Sequence, residues 1–216
     1  VYTLGKYGKG LKWTREAAIN DDLSAFTRIL PMMGTMGAYL EDDVAYAILT
    51  ANAAMADTVP LFDAAHGNVG TGAISVVALG AARAALRLQR HLDGTTFLNL
   101  TAKNLIVPAA IETVAEQFAG SAWDPAATIA NVPNPFANKF TIIGQPRLDA
   151  TSATQWYLTC DPAVFDTVEV CFLEGEPAPV VEQEEEFDTD AIKVKVRHQV
   201  AAKAIDWRGM YRSTGA

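Results

Sequence analysis

The sequence predicts an α+β fold, with helices in the first half of the chain and an antiparallel sheet in the second half. Apolar residues recur three or four positions apart within Pro31–Asn52 and again within Ser75–Gly94, which is the period of an amphipathic helix. From Phe140 onward, short segments rich in β-branched and aromatic residues alternate with turn formers, as strands do. The order of these two patterns gives the fold class.

The composition of the 216-residue chain predicts a substantial core and excludes some functions. Hydrophobic residues make up 50% of the chain, which is enough for one large domain or two small subdomains. The formal net charge of −8 argues against a surface that neutralises nucleic-acid phosphates. No apolar run reaches the roughly 20 residues of a membrane span, and the sequence shows no secretory signal. We therefore expect synthesis in the cytoplasm and no membrane partner.

The N-terminal quarter of the chain predicts an arm followed by helices. Val1–Thr14 alternates apolar and polar residues with interleaved glycines, which indicates an exposed and twisted ribbon arm. Asn20-Asp21-Asp22 supplies the cap of a helix that we expect Pro31 to interrupt. The apolar period beyond this proline predicts the longest helix of the protein, Pro31–Asn52.

The middle of the chain predicts a helix within Ser75–Gly94, with Ser75 as its cap. Leu105-Ile106-Val107 is expected to be a buried strand, and Pro108 to begin a helix that runs to Gly120. Ser121–Lys139 carries three prolines and predicts a long loop. The first of these helices is expected to bury one apolar face, formed by Leu79, Ala82 and Leu86.

The last third of the chain predicts five strands, each bounded by turn formers. The acidic run Glu182–Glu186 is expected to be a solvated turn or strand end rather than a metal site. Cys160 and Cys171 lie in predicted strands without metal-ligand spacing, so we expect two buried, reduced thiols, with a disulfide bridge or a labile thiol as the alternative. The predicted strands are Phe140–Ile143, Trp156–Cys160, Thr167–Leu173, Ala191–Arg197 and Ala202–Asp206.

Two short motifs invite a chemical interpretation. The glycine-rich segment Gly5–Gly10 resembles a phosphate cradle, but Leu11 stands where a P-loop needs Lys, so an interacting arm is favoured. Asp63 and His66 lie three residues apart and would suit a general base or a metal site if further partners existed. We expect them to stabilise a turn by hydrogen bonds instead. The alternative is a small soluble hydrolase, and the sequence predicts no cofactor and no metal.

Two groups of exposed or core residues leave alternatives open. Methionines at helical spacing, Met32, Met33 and Met36, with Met55 nearby, favour core packing over a promiscuous binding groove. Aromatic and basic residues near the C-terminus could stack on nucleic acid. Because the chain is acidic, an anchor between subunits is favoured for them; these residues are Trp207, Arg208, Tyr211 and Arg212.

A series of motifs along nearly the whole chain resembles the major capsid proteins of tailed bacteriophages, in particular the Mu-like branch. Each motif is weak alone, but their order and spacing together are specific. The motifs are Ile19-Asn20-Asp21-Asp22-Leu23 with Ala25-Phe26, Leu49-Thr50-Ala51-Asn52, Leu61-Phe62 with Ala65-His66-Gly67-Asn68, Val107-Pro108 with Glu112-Thr113, Pro146-Arg147-Leu148-Asp149, and Ala204-Ile205-Asp206-Trp207-Arg208-Gly209.

This resemblance implies an HK97-type α+β fold, with a peripheral domain that carries a long spine helix and an antiparallel sheet, an axial domain, and part of an extended loop. The implied boundaries are 1–14 for the remnant of the extended loop, 15–74 for the peripheral domain with the spine helix, 75–162 for the axial domain, and 163–216 for the return strands of the peripheral domain and the C-terminal tail. Whether this chain forms the covalent crosslinks of some relatives is left open.

The same resemblance implies a structural protein and no enzyme. Its expected partner is itself, as pentamers and hexamers of an icosahedral shell that encloses double-stranded DNA without sequence-specific contact. Scaffold, protease, portal or decoration proteins are further expected partners, and the expected location is the virion capsid, assembled in the bacterial cytoplasm. An encapsulin-like compartment shell is the alternative. The candidate subunit-interface residues are Tyr2, Lys6, Tyr7, Lys9, Lys12, Trp207, Arg208 and Tyr211.

Overall fold

The computed structural model describes residues 3–20, 25–129 and 131–215, so the candidate Tyr2 and the capping residues Asp21 and Asp22 lie outside it. The helices are α1 (Arg15–Ile19), α2 (Ala25–Ala51), α3 (Val76–Leu88), α4 (Glu112–Gly120) and α5 (Pro146–Asp149). The strands are β1 (Gly5–Thr14), β2 (Val69–Gly70), β3 (Ala102–Val107), β4 (Thr141–Gly144), β5 (Trp156–Cys160), β6 (Val168–Phe172), β7 (Val180–Glu186), β8 (Ala191–Ala204) and β9 (Met210–Ser213).

The chain divides into two compact units, each built from two segments. Unit 1 comprises Val1–Ala47 and Val170–Lys203, and unit 2 comprises Ile48–Glu169 and Ala204–Ala216. The C-terminal residues join unit 2 because β9 pairs with β5 and with β2. The sequence had grouped these residues with the strands that precede them.

A four-stranded sheet has the order β1-β8-β6, with β7 also paired to β8. The N-terminal arm forms an antiparallel ladder with β8 from Gly5 opposite Val200 to Thr14 opposite Ala191. This ladder gives the arm the partner that a lone ribbon lacks. One strand prediction is corrected here, because residues 191–204 form one strand instead of two. The acidic run forms the mostly exposed end of β7, in line with the expected strand end.

A five-stranded sheet has the order β2-β9-β5-β3-β4. Its β3–β4 and β2–β9 pairs are parallel, so the expected purely antiparallel sheet is wrong at these two pairs. All five residues of β5 are buried, and Trp156, which is fully buried, belongs to the core of unit 2. The core of unit 2 includes Leu79, Leu86, Leu105, Phe118, Phe136, Trp156, Leu158 and Tyr211.

The helices confirm some predicted boundaries and correct three. Helix α4 ends at the predicted Gly120, but it begins at Glu112, after a 3₁₀ turn at Ala109–Ile111, rather than at Pro108. Helix α2 continues through Pro31, so the predicted interruption is wrong.

Helix α3 has the predicted Ser75 cap, whose hydroxyl accepts from the Ala78 N–H, and the predicted buried face. It ends at Leu88 rather than Gly94 because Gln89 leaves helical geometry and donates its side-chain amide to the buried His66 carbonyl. Among the described residues, no helix is long and apolar enough to cross a membrane.

The two cysteines are free thiols in different environments. Cys160 is buried and Cys171 is half-buried, so the predicted burial holds fully for the first and partly for the second. Burial, with the nearby Asp161 and Asp206 carboxylates, raises the pKa of Cys160 to about 11. A thiolate is the reactive form of cysteine.

We expect one fast and one slow thiol in the native protein. At pH 8 the Cys160 thiol is ionised to about 0.1%, given a pKa three units higher. Titration with Ellman's reagent should therefore show Cys171 reacting first and Cys160 only on unfolding in urea. A Cys171→Ser variant identifies the fast thiol. Two equally fast thiols in the native protein would contradict this assignment.

Candidate functional site

The candidate lysines of the N-terminal arm lie on both faces of β1, because successive strand residues point to opposite sides. Lys6 and Lys12 share one face with Lys193 and Lys195 of β8 and with the even-numbered glutamates of β7. Tyr7 and Lys9 lie on the other face. The structure therefore separates these candidates into two surfaces, which we call the charged face and the helix face of the sheet.

The charged face is a ladder of ion pairs across β1, β8 and β7. The Glu186 carboxylate binds the ammonium groups of Lys12 and Lys193 and accepts from the Thr189 hydroxyl at 2.6 Å. Further along, Glu182 binds Lys195 at 2.6 Å and Arg197 at 3.3 Å. Glu182 and Glu186 of the acidic run are thus paired with basic residues of neighbouring strands, and no group of three or more metal-ligating side chains lies within residues 3–20, 25–129 and 131–215.

These pairs predict an acid-dependent contribution to the stability of the four-stranded sheet. The hydrogen bonds from Lys12, Lys193 and Thr189 lower the pKa of Glu186 from 4.5 to about 2. A depressed pKa stabilises the fold fully above pH 4.5, and this stabilisation is lost as the pH falls towards 2. Glu186→Gln should lower the Tm at pH 7 by about 1–3 °C and make the fall in Tm below pH 4.5 less steep.

The neighbouring substitution Glu185→Gln makes the same change of charge and is the control for this acid titration. Thermal unfolding followed by circular dichroism between pH 7 and pH 2 measures both variants. Equal Tm profiles for the two variants would show that the ion pairs of Glu186 contribute nothing measurable.

The helix face of the sheet and helix α2 enclose a groove within unit 1. One part of the groove has a volume of about 260 Å³ and the adjoining part about 210 Å³, and both are lined by Lys9, Met33 and Met36. Met32 and Met36 are 61% and 59% exposed. The favoured expectation of core packing is therefore wrong for these two methionines, and the alternative of a binding groove fits them.

The C-terminal candidates are held within unit 2. The Trp207 indole stacks on the His66 ring with centroids 4.1 Å apart, and the Arg208 guanidinium lies 4.4 Å from the Trp207 ring. Arg208 also pairs with Asp206 at 2.9 Å and donates to the Arg90 carbonyl. Tyr211 is only 6% exposed and packs against Trp156, so it offers little surface to a neighbour.

The segment around Asp63 and His66 is a hydrogen-bonded turn, as predicted. Asp63 caps a short 3₁₀ helix by accepting from the Ala65 N–H at 2.8 Å. The His66 ring is buried and contacts the Asp57 carboxylate at 2.8 Å and the Leu61 carbonyl at 3.2 Å. The hydrogen bond from His66 lowers the pKa of Asp57. Thus His66 pairs with Asp57 rather than with Asp63.

Buried Asn68 completes this turn and was missed as a structural residue. Its amide group donates to the Leu61 carbonyl at 2.8 Å, and its side-chain oxygen accepts from the Asp63 N–H at 3.1 Å. The backbone carbonyl of Asn68 accepts from the Arg212 N–H, which ties the turn to β9. The only sequence signal was the position of Asn68 within the His66-Gly67-Asn68 motif.

Comparison with known proteins identifies the family of this chain. A sequence model described as "phage capsid protein" matches residues 1–213. The chain belongs to the phage capsid protein family. No curated protein matches it. Because nearly the whole chain matches, this capsid protein is a structural component of the shell, and the soluble hydrolase alternative built on Asp63 and His66 falls away.

Solved structures of two phage capsids and an encapsulin show the same fold. The capsid of Myoviridae phage XM1 is 12% identical, with a TM-score of 0.64 over 99% of this chain and 74% of that one. The mature capsid of bacteriophage PhiM1 is 11% identical, with a TM-score of 0.63 over 98% and 71%. The SrpI encapsulin from Synechococcus elongatus PCC 7942 is 10% identical, with a TM-score of 0.57 over 98% and 74%. The mixed helix and sheet architecture is therefore of the HK97 type.

Proposed function

We propose that this capsid protein assembles with itself, as pentamers and hexamers, into an icosahedral shell that encloses double-stranded DNA. The observation that carries the proposal is the match of the family over residues 1–213. Its location in a virion capsid follows from the family, and assembly in the bacterial cytoplasm is part of the proposal. Placement in the Mu-like branch likewise remains a prediction.

Shell building needs many modest contacts rather than one reactive centre. In a closed lattice each subunit meets several neighbours, and contacts too weak to hold a pair add up because assembly makes them intramolecular. The net charge of −8 suits a wall that repels DNA phosphates and so encloses the genome without gripping a particular sequence.

We further propose that unit 1 is the peripheral domain and unit 2 the axial domain. Helix α2 is the longest described helix, at 27 residues, and suits the spine of a peripheral domain. Strand β1 would be the returning strand of the extended loop. Its exposed residues Lys6, Tyr7, Lys9 and Lys12 are then the proposed contacts with a neighbour, together with Tyr2.

Near the C-terminus, Trp207 and Arg208 are the further proposed contacts with a neighbour, because both side chains are half-buried in unit 2 and keep some exposed surface. Scaffold, protease, portal and decoration proteins are proposed partners on the grounds of the family alone.

Nuclease protection tests the proposed cargo. Particles should be purified from cells that express the complete capsid gene together with the neighbouring phage genes. These particles should retain double-stranded DNA after nuclease treatment. Particles that retain protein cargo and no DNA would favour the encapsulin alternative, which shares the fold at a TM-score of 0.57. DNA that the nuclease digests fully would contradict the proposed enclosure.

A further inference from the structure

Phe187 is the most exposed large apolar side chain in the described part of the protein, at 99%. It lies at the tip of the hairpin that joins β7 to β8, directly after Glu186. A phenylalanine ring carries a large apolar surface, and burying that surface is favourable. A fully exposed ring at the tip of a hairpin is therefore placed to be buried by another molecule.

The same unit carries an apolar recess that its own side chains leave open. The smaller part of the groove between β1 and α2, about 210 Å³, will be called the methionine groove. An apolar cavity of about 150 Å³ accepts benzene, whereas drug-sized ligands need roughly 300 Å³ or more. The methionine groove thus suits one aromatic ring. Its lining residues are Lys9, Gly10, Leu11, Ile29, Met32, Met33 and Met36.

Methionine side chains suit such a ring chemically. They are unbranched and adapt to the shape of a partner, and their sulfur atoms make favourable contacts with aromatic rings. Met32 and Met36 lie four residues apart on the same face of α2, and both are more than half exposed. Inserting a ring between them would cover apolar surface on both molecules.

The charges near the methionine groove are complementary to those of the hairpin tip that carries Phe187. The hairpin tip keeps a net negative charge, because Glu184–Asp190 contains five carboxylates and no basic residue, and only Glu186 and Asp190 form ion pairs with basic residues among the described residues. Lys9 is the charged residue that lines the methionine groove, and Arg28 lies one turn before Met32 on α2. Lys9 lines both parts of the groove, whereas Asp43 lines only the adjoining part. Opposite charges across a contact steer association and fix its register.

We propose that Phe187 of one subunit inserts into the methionine groove of a second copy of this chain, with Lys9 and Arg28 facing the acidic tip. The proposal rests on the proposed function, because it requires copies that meet in an assembly. Phe187 and the groove are different patches of one molecule, so the contact is heterologous and can close into a ring. The sequence did not identify Phe187 as an interface residue, because an isolated aromatic residue in an acidic run matches no periodic pattern.

Cysteine crosslinking tests the contact directly. The protein is expressed from its complete gene with the substitutions Phe187→Cys and Met36→Cys in a Cys171→Ser background. It is then treated with diamide, which oxidises thiols to disulfides. The control pair is Phe187→Cys with Ala38→Cys, because Ala38 is exposed on α2 two residues further and does not line the groove. Denaturing electrophoresis without reductant resolves the products in both the assembled and the soluble fractions.

The proposal expects a ladder of disulfide-linked multimers for the Met36 pair. The yield of crosslinked multimers should be about tenfold lower for the Ala38 pair. Equal or absent crosslinking in both pairs, with shells present, would overturn it and leave the proposed function intact. Absence of shells from the unmodified protein would instead count against the proposed function. In that case, the comparison of the Met36 and Ala38 pairs in the soluble fraction would still test whether Phe187 contacts the methionine groove.

A second variant separates contact from folding. Phe187→Ala removes an almost fully exposed ring, so the Tm of the dissociated subunit should stay unchanged while assembly falls by about tenfold or more. Val164→Ala, at a residue that is 76% exposed in unit 2, is the matched control and should assemble normally. Normal assembly of Phe187→Ala would contradict the inference.

Discussion

Trp156→Ala is expected to lower the free energy of unfolding by about 3–5 kcal/mol, the largest effect of any substitution considered for this protein. The Trp156 side chain is fully buried, and its indole N–H donates to the Gly72 carbonyl at 2.9 Å. It also packs against the Tyr211 ring, with centroids 6.1 Å apart. Alanine would leave a large cavity where the five-stranded sheet meets α3, and the Tyr211 ring would lose its neighbour.

Urea unfolding followed by circular dichroism measures this loss at protein concentrations too low for assembly. Trp123→Ala removes the same side chain from a loop position that is 52% exposed, and we expect a change within about 0.5 kcal/mol. A Trp156 variant as stable as the Trp123 variant would mean that the core of unit 2 is not organised around Trp156.

Asn68→Ala is expected to lower the free energy of unfolding by about 2–3 kcal/mol. The substitution removes the acceptor of the Asp63 N–H and the donor to the Leu61 carbonyl, and both groups lie in a turn that is partly closed to water. The weaker contact from Asn68 to the Trp207 carbonyl, at 3.4 Å, would also be lost. The turn would then be free to separate from the C-terminal segment.

The same urea measurement, compared with Gln117→Ala, tests the role of Asn68. Gln117 carries an exposed amide side chain on α4, and its replacement should change stability by less than about 0.5 kcal/mol. Limited proteolysis adds a local readout, since Asn68→Ala should expose the chain near Trp207 to cleavage before the rest of the protein. Unchanged stability together with unchanged cleavage would contradict a structural role for Asn68.

Local patterns predicted the elements whose own residues decide their structure. Trp156–Cys160 is uniformly apolar or β-forming and was predicted with its observed bounds. Ser75 has the side chain that caps a helix, and Leu79, Ala82 and Leu86 have the spacing of a buried helical face. In these segments, propensity and burial favour the same structure, so the sequence alone is sufficient.

Distant partners decided the elements that were missed or misplaced. Strand β9 has a short sequence with little β preference, and it is a strand because β5 and β2 pair with it from both sides. Pro31 costs helix α2 one backbone hydrogen bond, yet the helix continues, because a local penalty does not decide an element that is 27 residues long. The acidic run is a strand because β8 supplies Lys193 and Lys195 opposite it.

The candidate site was predictable in chemistry but not in arrangement. The exposed lysines and Tyr7 of β1 were recognised from the sequence, whereas their division between two faces depends on the register with β8. The methionine groove needs both β1 and α2, which no local pattern joins. Family membership came from motifs spread over the whole chain, because it depends on their order and not on any one residue.

The particle mass of the protein expressed from its complete gene tests the central claim most directly. Light scattering followed by electron microscopy of the same fractions distinguishes shells from small oligomers. The proposed function predicts closed shells with masses on the order of megadaltons, built from pentamers and hexamers. A stable monomer or dimer, with no shells across the salt and pH conditions tried, would contradict it.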